Sequence, residues 1–162
     1  MTPAAEVVLS GITKHFAAVT ALDHVDFAFR PGRVHALLGE NGAGKSTLMG
    51  IAFGLLQPDA GAIRVAGSPR VFRSPRDAIA AGIGMVQQHF SLVPALTAAE
   101  NVAIGDQGSF DPAAATERVR AVAGAAGLQI DPRARVRDLS IEAQQRLEIV
   151  RALAPGAGIL LL

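Results

Sequence analysis

A chain of 162 residues that is half hydrophobic is long enough to bury a core of its own and is not a disordered polymer. Fifteen basic against fourteen acidic residues leave a formal charge of +1 with no long block of one sign, which argues against a nucleic-acid surface. Cysteine is absent, so disulfide frameworks, thiolate nucleophiles and cysteine zinc sites are excluded, and no apolar run approaches the ~18 residues that cross a bilayer.

In chain order, residues 1–6 lack a basic segment followed by an apolar core, so they do not read as a secretion signal and the expected location is cytoplasmic. Residues 7–12 predict a first strand and residues 21–29 a second, in which Val25, Phe27 and Phe29 alternate with His24, Asp26 and Ala28. Arg30-Pro31-Gly32 turns the chain into residues 34–38, an apolar run of buried-strand length. Next comes Gly39-Glu40-Asn41-Gly42-Ala43-Gly44-Lys45-Ser46-Thr47, which fits the phosphate-loop pattern G-x-x-x-x-G-K-[ST] without a mismatch. Leu48, Met49, Ile51, Ala52 and Phe53 then follow with no proline, as a helix requires.

The residue types in that loop answer the needs of a triphosphate. Gly39, Gly42 and Gly44 can take left-handed backbone conformations that turn N–H groups inward, and they have no Cβ to hold phosphates away. A helix starting near Gly44 adds unpaired N-terminal amides and the positive end of its dipole. Lys45 supplies a mobile charge for the β- and γ-phosphates, and the Ser46 hydroxyl is placed to ligate Mg²⁺. Lys45 is one of only two lysines in the chain, the other being Lys14.

Beyond the loop, residues 57–61 read as a turn and residues 62–66 as a short strand. Ser74 and Pro75 open a helix that Gly82 closes, and residues 83–86 form a buried strand running into Gln87 and Gln88. The pattern then becomes helical. Thr97 and Glu100 form a capping box, and Asp111-Pro112 starts a helix with Ala115, Val119, Val122 and Ala126 on one face, ending at Gly127. Ser140 caps a further helix with Leu147, Val150 and Ala154 on its apolar face and Pro155-Gly156 as its stop, before a core strand at residues 159–162. Histidines 15, 24, 35 and 89 show no metal-ligand spacing. The expected fold class is α/β: a nucleotide core in residues 1–88 and 140–162 with an antiparallel β edge, and a helical subdomain inserted at residues 89–139.

These landmarks, in this order, resemble the ATP-binding subunits of ABC transporters across essentially the whole chain. The resemblance implies a P-loop NTPase core in which residues 39–47 are the ATP-binding Walker A loop and Phe16 stacks on adenine. It makes Gln88 the Q-loop residue that contacts Mg²⁺ and the attacking water. Leu139-Ser140 resembles the start of the LSGGQ signature, but Ile141, Glu142, Ala143 and Gln144 depart from it. Glu142 in place of a glycine opposes an incoming γ-phosphate at a helix N-terminus. The wording of residues 74–79 and 82–90, with Leu92-Val93-Pro94 and Glu100-Asn101-Val102, is similar to importers of nucleosides and simple sugars, and Gln88-His89-Phe90 favours the nucleoside branch.

That family places an Asp for Mg²⁺ and a catalytic Glu after the last apolar strand, and neither lies within residues 1–162. The chain is therefore expected to be the N-terminal part of a first cassette, truncated before the Walker B carboxylates, binding ATP without hydrolysing it efficiently alone. The implied partners are a second cassette, fused or as a homodimer, and integral-membrane permease subunits on the inner face of the membrane, with no nucleic acid. Two other classes share the loop. Soluble ABC-type ATPases of translation or DNA repair lack the importer-like wording, and small-molecule kinases lack an upstream Phe16 and a late Ser140 helix.

Overall fold

The computed structural model describes residues 5–87, 91–106 and 108–162. They fall into two compact units, residues 1–84 with 156–161, and residues 85–155.

The first unit is built on an antiparallel hairpin, β1 (Val7–Phe16) and β2 (Val19–Phe29). It belongs to a four-stranded sheet with β3 (Ala60–Val65) and β4 (Ser68–Arg70), in the order β2-β1-β3-β4. Val7, Leu9, Ile12, Leu22, Phe29, Ile63 and Val65 bury the apolar face of this sheet. Each fully buried aliphatic side chain of this kind contributes about 1.5–3 kcal/mol. The β1–β2 register shifts between Leu9 and Ile12, and the Asp26 carboxylate accepts from Gly11 N at 2.7 Å, giving the irregular strand a partner there. Both strands run further than their sequence predicts, because the turn at Ala17 and Ala18 contains neither glycine nor asparagine. Ala17 nevertheless adopts φ 49°, which lets Phe16 pair with Val19.

Helix α1 (Lys45–Ala52) buries Leu48, Ile51 and Ala52 and contacts β2. In α2 (Pro75–Ala80), Asp77 closes the capping box by accepting from Ser74 N at 2.9 Å. Strands β5 (Ile83–Met85) and β6 (Ile159–Leu161) form a separate two-stranded pair.

The strand expected just before the glycine loop does not form. Residues 34–38 are not a strand, and Val34 and Leu38 are fully open to solvent, at 101% and 87% relative exposure. A strand needs a neighbour for its N–H and C=O groups, and among the described residues no strand pairs with this run.

The second unit is helical: α3 (Ala98–Ala103), α4 (Pro112–Ala125), a 3-10 turn (Val136–Asp138) and α5 (Ile141–Leu153). Among the described residues, Leu92, Val102, Val119, Val136, Leu147 and Val150 belong to one core cluster of this unit. The predicted caps are all present. Thr97 Oγ1 accepts from Glu100 N at 3.2 Å while Glu100 accepts from Thr97 N at 2.7 Å, and Asp111 accepts from Ala113 N at 2.8 Å. The two bonds from Thr97, chiefly that from its backbone N–H, hold the Glu100 carboxyl below its ordinary value, with Arg135 assisting. The buried face of α4 is Ala115, Val119 and Ala123; Ala126 is exposed, because the helix ends at Ala125 before its next turn reaches the core. Asn101, fully buried, braces the chain ahead of α3 by accepting from Val93 N and donating to Val93 O and Thr97 O.

The open apolar run at residues 34–38 carries a prediction. Residues 1–162 produced alone should show no cooperative monomeric melt, because this run exposes large side chains and unpaired backbone. A single sharp, concentration-independent transition in calorimetry would contradict that.

Candidate functional site

The glycine loop reaches its helix through one tight junction. Gly44 stands at the N-cap of α1 with φ 84°, a left-handed conformation that side chains rarely adopt. A Cβ added there would lie 2.4 Å from Ala21 O and 2.8 Å from Leu22 Cδ2, both on β2. Handedness and space each require glycine at this position, and the helix start is thereby pressed directly onto the sheet. Gly42 is also left-handed, at φ 87°. Gly39 is not, contrary to its sequence expectation; its constraint is space, since an added Cβ would stand 3.2 Å from Ala43 Cβ.

Lys45 is the first residue of α1, and its Nζ donates to Gly39 O and Glu40 O, each at 2.7 Å. The lysine arm therefore folds back over the loop that precedes its own helix. Ala43 N donates to Glu40 O at 3.2 Å and Leu48 N to Gly44 O at 2.9 Å, so the loop closes on itself before the helical ladder begins. Asn41, Gly42, Ala43 and Ser46 are exposed and Thr47 is half-buried. The first turn of α1 has no acidic residue to compete with an anion for its N–H groups.

Phe16 ends β1, 44% exposed, so it is not a core aromatic. Lys14 Nζ lies 5.7 Å from its ring centroid. The strand end is held by Asp59, which accepts from Lys14 Nζ and from His15 N, each at 2.7 Å. Those contacts, the Lys14 hydrogen bond first and the His15 amide second, pull the Asp59 carboxyl down to about 2. The chain's two lysines thus have separate tasks: Lys14 is committed to a carboxylate, and Lys45 has only neutral carbonyls as partners among the described residues.

In the second unit, Ser140 caps α5, its Oγ accepting from Ala143 N at 3.3 Å. Ile141 is 68% exposed, and Glu142 stands exposed in the first turn, 3.3 Å from Arg146 Nη2 one turn on. Gln144 is occupied structurally, donating to Leu139 O at 3.1 Å and Val136 O at 3.3 Å. Gln88, with His89 and Phe90, lies outside the described residues. Among the described residues no group of three or more His, Asp or Glu side chains is placed to hold a metal, and no helix is long and apolar enough to cross a membrane.

Sequence reasoning overlooked Glu148 and Arg151. Glu148 is 3% exposed, adjoining the apolar positions Leu147 and Val150 of α5, and it pairs with Arg151 at 3.0 Å. The available signal was an acidic residue inside a predicted apolar face with an arginine three positions on.

A family model described as ABC transporter matches residues 22–162. The guanosine import ATP-binding protein NupO of Bacillus subtilis (strain 168) is 46% identical over 154 residues, covering 93% of this chain and 30% of that protein. The ribose import ATP-binding protein RbsA 1 of Rubrobacter xylanophilus is 46% identical over 158 residues, covering 95% of this chain and 32% of that protein. The chain thus spans about a third of the length of these relatives. The ADP conformation of MJ1267, an ATP-binding cassette of an ABC transporter, superposes with a TM-score of 0.83 at 23% identity over 96% of this chain and 67% of that one, which establishes the fold.

The Asp59 contacts set a pH dependence. A carboxyl whose folded value is about 2 against an ordinary 3.8 contributes stability that is complete above about pH 4 and is lost as pH falls through 2. Lys14→Met should move the Asp59 titration back up toward 3.8 in carboxyl-carbon NMR. An Asp59 midpoint near 3.8 in the unmodified protein would refute the assignment.

Proposed function

The chain belongs to the ABC transporter family, and from that premise we propose that it is the ATP-binding part of a subunit that powers an importer of nucleosides or simple sugars. The observation that carries this reading is the Gly44–Lys45 junction: a left-handed glycine at the helix start and a lysine ammonium resting on the loop's own carbonyls. A triphosphate fits these residues, since its oxygens offer Lys45 stronger acceptors than neutral Gly39 O and Glu40 O, and no carboxylate in the first turn of α1 opposes them.

In this reading residues 39–47 hold the phosphates, with Gly39, Gly42 and Gly44 supplying close backbone approach and Lys45 the charge. Phe16, exposed at the end of β1, stacks on the base. The Ser46 hydroxyl and Gln88 would hold Mg²⁺, which would supply charge neutralisation to the phosphates. Ser140 and the residues after it serve as the signature that completes the site of a second cassette, either fused or a homodimeric copy. Residues 1–162 supply the phosphate loop of one ATP-binding domain and span about a third of the length of the relatives. The full-length protein is peripheral on the cytoplasmic face of the membrane, held by permease subunits. The guanosine and ribose importers among the relatives, equal in identity, support an import role over the soluble ABC alternative and leave nucleoside and sugar on equal terms.

Lys45→Ala should weaken ATP binding at least tenfold, about 1.4 kcal/mol, with the fold retained. Unchanged affinity by titration calorimetry on the folded full-length protein would remove the reading. A second expectation concerns Glu142. Like charges about 5 Å apart repel by roughly 3 kcal/mol at an effective dielectric near 20, and Arg146 together with side-chain rotation offsets most of this. Glu142→Gly should therefore raise the ATPase rate of the assembled transporter only by about threefold. A lowered rate would show that Glu142 does not face a phosphate.

A further inference from the structure

The hairpin that carries Phe16 also seats the phosphate loop. Ala21 of β2 is the residue whose carbonyl a Cβ at Gly44 would strike, and Phe16 pairs with Val19 at the tip of the same two strands. The ring and the loop are therefore placed by one element, and their relative position depends on how firmly its tip is held. On the other edge, β1 outruns its neighbour: its pairing with β3 ends at Thr13 and Ala60, so among the described residues no strand partners Lys14, His15 and Phe16 there. Asp59, the residue before β3, fills the gap. Its N donates to Thr13 O at 2.9 Å, its Oδ1 accepts from Lys14 Nζ at 2.7 Å and its Oδ2 accepts from His15 N at 2.7 Å. One residue thus holds the three consecutive residues that lead into Phe16.

Lys14 does more than answer the carboxylate. Alternate residues of a strand share a face, so Lys14 and Phe16 lie side by side, and the ammonium that Asp59 holds stands over the Phe16 ring, 5.7 Å from its centroid. One face of the ring is then taken by a cation whose own place is set by Asp59, which leaves the other face for a base. A ring that is 44% exposed is only partly held by packing, so a charge fixed over one face helps to select its orientation.

We infer that Asp59 is a positioning residue for base recognition: by holding Lys14 and the His15 amide it fixes the Phe16 ring, and so governs affinity for the base without touching the nucleotide. The inference rests on the functional reading above, in which Phe16 stacks on the base and residues 39–47 hold the phosphates. A residue that served only the sheet would affect both halves of the nucleotide, because Ala21 of the same hairpin also seats Gly44. Asp59 acts instead on the tip alone, where its bonds fall on Thr13, Lys14 and His15.

The test uses the full-length protein and two probes, ATP and inorganic triphosphate, which has no base. Binding at this site is the component that Lys45→Ala weakens; if Lys45→Ala weakens none, the functional reading itself is removed. Asp59→Ala should weaken ATP binding at least fivefold in titration calorimetry and leave inorganic triphosphate within twofold of wild type, and Phe16→Ala should do the same. In the double variant Asp59→Ala/Phe16→Ala the ATP affinity should stay within twofold of Phe16→Ala alone, because no ring remains to be positioned. Equal losses for ATP and inorganic triphosphate in Asp59→Ala, or losses that multiply in the double variant, would overturn the inference and leave Asp59 a structural residue. Full ATP affinity in Asp59→Ala beside a weakened Phe16→Ala sinks only the positioning role, whereas full affinity in Phe16→Ala sinks the stacking reading and the inference with it. If Asp59→Ala does not fold, the near-isosteric Asp59→Asn, which gives up the charge that holds Lys14, takes its place and is judged by the same outcomes.

Discussion

The contact between Gly44 and β2 is the constraint on which the first unit depends. The helix that follows the loop begins against the backbone of Ala21, and only a residue without a side chain can stand there in a left-handed conformation. That approach sets where α1 starts, and hence where its unpaired N–H groups and the Lys45 arm emerge. It also explains why the antiparallel hairpin, which contributes no loop residue, belongs to the same unit: β2 is the surface against which the loop is positioned. A larger residue at position 44 would have to displace the sheet or unwind the first turn, and either change would move the unpaired N–H groups at the helix start.

Charge placement follows a similar economy. Lys14 is tied to Asp59 and Glu142 has Arg146, while the buried Glu148 has Arg151 and a backbone amide. Lys45 differs, since among the described residues its acceptors are neutral carbonyls, which a polyanion can displace without breaking an ion pair. A lysine held by a carboxylate would have to surrender that partner to bind an anion; this one would exchange neutral acceptors for charged ones.

Features governed by local chemistry were legible in the sequence. Ser74, Thr97, Asp111 and Ser140 each mark a helix start where predicted, because a capping side chain answers to N–H groups two or three residues away and needs nothing distant. The loop motif belongs to the same class. Features governed by distant partners were not. Residues 34–38 carry a strand's composition, yet composition does not supply a neighbouring strand, and they remain open. The Ala17–Ala18 turn was missed because its left-handed alanine is imposed by the pairing of Phe16 with Val19, not by its own preference. Gly39 is not left-handed as expected, and its crowding by Ala43 can be seen only once the loop is folded.

Glu148 shows most clearly what periodicity leaves out. Its position on α5 adjoins Leu147 and Val150, and a pattern argument either ignores an acidic residue there or discounts the helix face. The structure resolves the conflict through Ser91, whose backbone supplies the donor the carboxylate needs and the acceptor that Arg151 needs. A buried charge is tolerated when its hydrogen bonds are complete, and here completeness requires a chain segment far away in sequence. The polar residue that breaks the helix pattern therefore marks a long-range connection, and it is the part of the second unit that conservative replacement by another helix-forming residue would damage without disturbing the helix itself.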